Sequence, residues 1–155
     1  MKKYFQQGFT ALEILIVVAI IGALVLVVLP QFSKNRELQV LKSGVQDTLS
    51  AVDKARVETL SSLNSSSYGV HFESSKVIIF KGTVFSANDA NNETINIVSP
   101  ASISNVTFGG VSASSGEVYF SRLSGTPNKV GTITLSTSSF SKTITIFATG
   151  VASVN

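Results

Sequence analysis

The feature that most constrains this chain is an apolar run close to its N-terminus. From Phe9 to Leu29 it reads FTALEILIVVAIIGALVLVVL, and Thr10 and Glu13 are its only polar side chains. Coiled as a helix, these 21 residues rise about 1.5 Å each and cover roughly 30 Å, the hydrocarbon thickness of a bilayer. Lys2 and Lys3 precede the run. The positive-inside rule therefore keeps Met1–Gly8 cytoplasmic and sends the rest of the chain across. A cleavable secretory signal would have an apolar region of about 7–15 residues closed by small residues. Here the run is longer and ends VVLPQF, so a retained membrane helix is expected.

Composition divides the chain in two. Of 155 residues, 44% are hydrophobic and only 14% are charged, and mean hydropathy is +0.36. A soluble domain has about 25% charged residues. No polar side chain occurs between Ile14 and Leu29, whereas Ser, Thr, Gly and Asn dominate after Ser61. The apolar content and the recurring Val/Ile/Phe clusters exclude disorder throughout. Because Cys is absent, disulfide scaffolds, Cys-ligated zinc and thiol nucleophiles are excluded. Without Lys2 and Lys3 the net charge falls from +3 to +1, too little field to attract a nucleic acid, so DNA binding is not expected.

Glu13 does not belong in a plain anchor. A carboxylate inside an apolar span costs about 2.5–3.5 kcal/mol on insertion scales, and such residues take a partner. No Lys or Arg lies between Phe9 and Gln31. A cut after Gly8 would create an ammonium on Phe9, about one helical turn from Glu13. Opposite charges at about 4 Å gain roughly 4 kcal/mol at an effective dielectric of 20. Such a pair could form within one helix, or between staggered neighbours, where it would set their register.

The segment KKYFQQGFTALEILIVVAIIGALVLVVLP closely resembles the N-terminus of the type IV prepilin and type II pseudopilin family. Its marks are a short basic leader ending in Gly8, aromatic Phe9, an acid four positions later at Glu13, and an apolar helix. The resemblance implies cleavage between Gly8 and Phe9 by a prepilin peptidase, which also N-methylates Phe9. It implies pairing of Glu13 with the Phe9 amine of an adjacent subunit. It further implies an inner-membrane assembly platform, a partner ATPase, and other pilin or pseudopilin subunits as partners. Pro30 lacks an N–H and crowds the preceding turn, so a helix break or bend is expected there. Gly22 suits either close helix packing or a hinge.

Beyond Pro30 the pattern becomes amphipathic. Leu38, Leu41, Val45, Leu49, Val52, Leu60 and Leu63 recur at three- and four-residue steps, with charges mostly on the other faces. One long helix from about Thr10 to Leu60 is expected. Short β-branched runs follow at 68–72, 76–80, 83–85, 94–98, 105–108, 117–120, 132–135 and 142–147, divided by turn residues. The expected fold class is α+β: a long N-terminal helix packed on an antiparallel β domain. The expected segments are a leader (1–8), a membrane or filament-core helix (9–30), an amphipathic helix (31–63) and a β-rich domain (64–155). YGVHF, EVYFSRLSG, GTITLS and ITIFATG are similar to stretches of GspH/FimT-type minor pseudopilins. The lack of Cys departs from major pilins whose C-terminal loop is closed by a disulfide.

Signals for catalysis are few. His71 is the only histidine and lies mid-strand, G-x-S-x-G is absent, and neither nucleotide-binding fingerprint occurs. No enzyme, cofactor or metal is expected. Asn88–Glu93 places oxygen-bearing side chains together but lacks the glycine of an EF-hand, and reads as a polar turn. Asn64, Asn92 and Asn105 begin N-x-[ST] sequons, as chance supplies in a chain rich in Ser and Thr. The leading expectation is a structural subunit, a minor pilin or pseudopilin of a type IV pilus or type II secretion filament. It would sit in the inner membrane, β domain outside, before entering a filament. The alternatives are a major pilin, or a membrane-anchored module that binds DNA, a surface or a secreted substrate.

Overall fold

A computed structural model describes residues 8–155, apart from the side chains of 27–30. Met1–Gln7, with the expected leader charges Lys2 and Lys3, lies outside the described residues. The chain forms one α-helix, α1 (Ala11–Leu60), followed by a 3-10 turn (Leu63–Ser65) and nine strands. The helix and the antiparallel β region make the expected α+β class. Helical assignment continues through Pro30. By contacts the chain divides into two units, Met1–Arg36 and Glu37–Asn155.

In the first unit, none of the described residues covers the apolar helix from Phe9 to Leu26. All twelve large apolar side chains from Phe9 to Leu26 are at least 45% exposed. Leaving each half-exposed in water costs about 1 kcal/mol, and the sum rivals the 5–15 kcal/mol net stability typical of a domain. Among the described residues this is the one helix long and apolar enough to cross a membrane.

In the second unit, the stripe read from the sequence turns inward. Leu41, Val45, Thr48, Val52, Ala55 and Thr59 are buried, and the apolar ones join the main core. The helix ends where Ser62 adopts a left-handed conformation (φ 53°) after the Ser61 N–H donates to the Val57 carbonyl (2.9 Å). Its last turn is fixed to the first strand by Thr59. The Thr59 hydroxyl donates to the Ala55 carbonyl (2.8 Å) and accepts the Tyr68 N–H (2.9 Å).

The strands are β1 (Tyr68–Glu73), β2 (Lys76–Lys81), β3 (Glu93–Asn96), β4 (Ser102–Phe108), β5 (Val111–Ala113), β6 (Gly116–Tyr119), β7 (Gly131–Ser136), β8 (Ser141–Ile146) and β9 (Ala152–Val154). They build two antiparallel sheets, ordered β3-β2-β1-β6 and β5-β4-β7-β8-β9. The β1–β2 hairpin turns at Ser74–Ser75, and its turn carbonyls accept N–H groups of Ile97 and Ile103 (2.8 and 2.9 Å). Val70, Phe72, Val77 and Ile79 from the first sheet meet Ile133, Leu135, Ile144 and Ile146 from the second in one core.

Two expectations about strands fail. Thr83–Phe85 is not a strand; Phe85 instead stacks on His71, with ring centroids 4.0 Å apart. Phe85 also meets Phe80 edge-on (centroids 5.7 Å), covering the outer face of β1 and β2, while Val84 stays exposed. Strands β5 and β9 were not expected. Each has three residues, too few for an alternating pattern to show.

Within the strands the outer face of the second sheet is polar, and just past the strand ends Val130, Phe147 and Val151 are exposed. Register aligns Ser112, Thr107, Thr132, Thr145 and Ser153 in one rank across all five strands. A neighbouring rank holds Asn105, Thr134 and Thr143. The alternation that buries Ile133, Leu135, Ile144 and Ile146 sends these polar residues outward.

Candidate functional site at the start of the helix

Gly8, Phe9 and Thr10 precede α1 in non-helical conformation, and all three are exposed. A Cβ on Gly8 would meet nothing within 4 Å, so packing among the described residues does not call for glycine there. Thr10 is the N-cap. Its hydroxyl accepts the Glu13 N–H (3.2 Å), and its carbonyl accepts the Ile14 N–H (3.3 Å). Side-chain oxygens at this position satisfy amides that the first turn leaves without partners.

Glu13 is therefore the third residue of the helix. Thr10-Ala-Leu-Glu13 has the T-x-x-E spacing of a capping box. The carboxylate lies at the positive end of the helix dipole, a favourable place for it. This role of Thr10 was missed in reading the sequence, although the spacing makes it legible. Phe9 and Glu13 line one shallow groove with Ile14, Val17 and Val18, so the two residues expected to act together share a surface. A Cβ on Gly22 would also meet nothing. None of the described residues packs closely against Gly22.

The remaining sequence candidates lie elsewhere, on the β domain. His71 projects from the outer face of β1. Its Nε2 is 3.7 Å from Glu73 and its Nδ1 is 3.6 Å from Glu117. These carboxylates flank opposite edges of the ring, so they do not converge on one point. Among the described residues, no group of three His, Asp or Glu side chains is arranged to hold a metal ion.

In the Asn88–Glu93 turn, Asp89 accepts both the backbone and side-chain N–H of Asn91 (2.9 and 2.8 Å). Those bonds, the backbone one first, hold its carboxyl below the usual range. Glu93 pairs with Lys54, so the oxygen groups of this turn are engaged separately. The amides of Asn64, Asn92 and Asn105 donate to Tyr68 Oη, the Ser86 carbonyl and Thr107 Oγ1.

No protein-family model, curated protein or solved structure matches the chain. A functional reading thus rests on the residues themselves and on the physical demands of the exposed helix.

Proposed function

We propose that the chain is a structural subunit of a helix-cored filament, a minor pilin or pseudopilin of a type IV pilus or type II secretion system. The observation that carries this reading is an apolar helix exposed on every side, with one carboxylate at its capped start. A helix bare on all faces needs lipid or several neighbours around it. Lipid alone explains the apolar residues, and the helix start favours an acid at Glu13, but a carboxylate still costs free energy inside a bilayer. A cationic partner on a neighbouring subunit would offset that cost.

In this reading a prepilin peptidase cuts after Gly8, which is exposed among the described residues. The new amine on Phe9 is N-methylated and stands one residue before the N-cap. Thr10 holds the first turn in place, so the Glu13 carboxylate is presented from a formed helix. Between staggered subunits, the amine of one and the carboxylate of another neutralise each other as lipid is left behind. The β domain then stays outside the core. The chain waits in the inner membrane, and an assembly platform and its ATPase supply the work of extraction.

Mass spectrometry of the mature N-terminus, for wild type and Glu13→Ala produced with an active prepilin peptidase, tests this. The expected result is N-methylated Phe9 in both, with filament incorporation lowered at least tenfold in the variant. A persistent Met1 start, together with indifference to Glu13, would refute the reading.

A further inference from the structure

The two sheets treat their edges differently. In the four-stranded sheet, β3 carries Glu93, which pairs with Lys54. Along β6, the Tyr119 N–H donates to Asn128 Oδ1 (2.9 Å), the Tyr119 carbonyl accepts the Asn128 N–H (3.0 Å), and Phe120 bridges to Pro127. Charge and covering chain are the usual guards against strand pairing with another molecule. The five-stranded sheet has neither guard at its edges β5 and β9. No Asp, Glu, Lys, Arg or Pro occurs from Gly109 to Gly116 or from Thr143 to Asn155.

The ladders fix which backbone groups these edges leave free. Phe147 and Asn155 donate their N–H groups to the Val151 and Thr143 carbonyls (both 2.9 Å). Antiparallel bonding alternates, so Ala152 and Val154 direct their N–H and C=O groups away from β8. On the opposite edge the Gly109 N–H donates to the Val130 carbonyl (3.1 Å). The residues of β4 that face β5 are therefore Phe108 and Val106, paired with Val111 and Ala113, and Ser112 directs its N–H and C=O outward. Four antiparallel steps separate β5 from β9, so the two edges run in the same direction.

We infer that β9 of one copy pairs in parallel with β5 of the next, joining their sheets head to tail. In that register the Ser112 N–H donates to the Ala152 carbonyl, and the Val154 N–H donates to the Ser112 carbonyl. Ser112 lies beside Ser153, which extends the polar rank from one copy to the next. An antiparallel match of Ser112 with Ala152 would instead set a polar face against a core face. Parallel pairing also places Val111, 71% exposed, beside Ala152. Contacts of this head-to-tail kind propagate rather than close into a dimer. The inference rests on the filament reading in one respect: the copies share one orientation, as they do in a bilayer or a helix-cored array.

The test places the full chain in vesicles of phosphatidylethanolamine and phosphatidylglycerol and treats it with a short bis-maleimide. The chain has no Cys, so only introduced thiols react. Within one copy, positions 112 and 153 are about 19 Å apart, four strand spacings, beyond the reach of the reagent. Ser112→Cys combined with Ser153→Cys should give a ladder of dimers, trimers and larger species. Either variant alone should give none, and an equimolar mixture of the two should stop at dimers. Adding Val154→Pro, which removes an N–H that β8 does not use, should lower the ladder at least fivefold. Thr94→Cys on β3, combined with Ser153→Cys, should give no ladder. Circular dichroism confirms that each variant is folded. The inference is overturned by absence of the ladder, by cross-linking of Ser153→Cys alone, by a folded Val154→Pro variant that cross-links fully, or by an equal ladder through position 94. The vesicles contain no peptidase or ATPase, so failure here is distinct from failure of the processing test above.

Discussion

Two buried threonines in the same helix show how one residue type can have different energetic roles. Thr48 and Thr59 are both fully buried. The Thr48 hydroxyl donates to the Gly44 carbonyl of its own helix (2.7 Å), an acceptor that already has its helical partner. The Thr59 hydroxyl also accepts the Tyr68 N–H (2.9 Å), which has no other acceptor at the entry to β1. Replacing Thr48 by Val removes a bond without stranding a donor, and should change stability by less than about 1 kcal/mol. Thr59→Val strands a buried N–H and should cost about 1–3 kcal/mol. Urea denaturation of the two variants in one detergent would measure the difference. At the helix start, Thr10→Ala should weaken the first turn by about 1 kcal/mol, while Thr10→Ser should preserve it. Exchange rates of the Glu13 and Ile14 amides would report this directly.

Between elements, close approach decides which glycines can change. Gly44 faces Ile97, with the nearest side-chain carbon 3.3 Å from a hypothetical Cβ. Alanine there gains about 1 kcal/mol of helix propensity, offset by a small shift of a flexible side chain, so Gly44→Ala should be close to neutral. At Gly131 the Cβ would collide with the backbone carbonyl of Thr107 on the paired strand. Strand β7 would have to move away from β4, and Gly131→Ala should cost more than about 3 kcal/mol, the usual upper range for overpacking. Thermal unfolding of the two variants provides the comparison. The ion pair Lys54–Glu93 is about half exposed on both sides, and contributes at most about 1 kcal/mol. The core formed by the helix and the two sheets contributes far more.

For the whole molecule, the exposed apolar helix determines the environment. The full chain should sediment with membranes and resist alkaline carbonate extraction. Replacing Leu15 and Ile20 by Lys should shift it to the soluble or aggregated fraction, as shown by immunoblotting of the two fractions. The candidate membrane-spanning helix was legible from sequence alone, because an uninterrupted apolar run acts through composition and length and needs no partner within the chain. The amphipathic half of α1 and seven of the nine strands were legible too, since periods of 3.6 and 2 record which face is buried. Gly8, Phe9 and Glu13 stood out for their spacing. Other features depend on residues distant in sequence, and only the tertiary structure decided them. Val111–Ala113 and Ala152–Val154 become strands because neighbouring strands offer them hydrogen bonds, not because of any pattern of their own. Phe85 leaves the ladder because its ring finds His71 across the sheet. The hydroxyl ranks exist only once register aligns threonines from separate strands. Local chemistry thus determined where the helix begins and what must surround it, while pairing between distant segments determined the surface that the β domain presents.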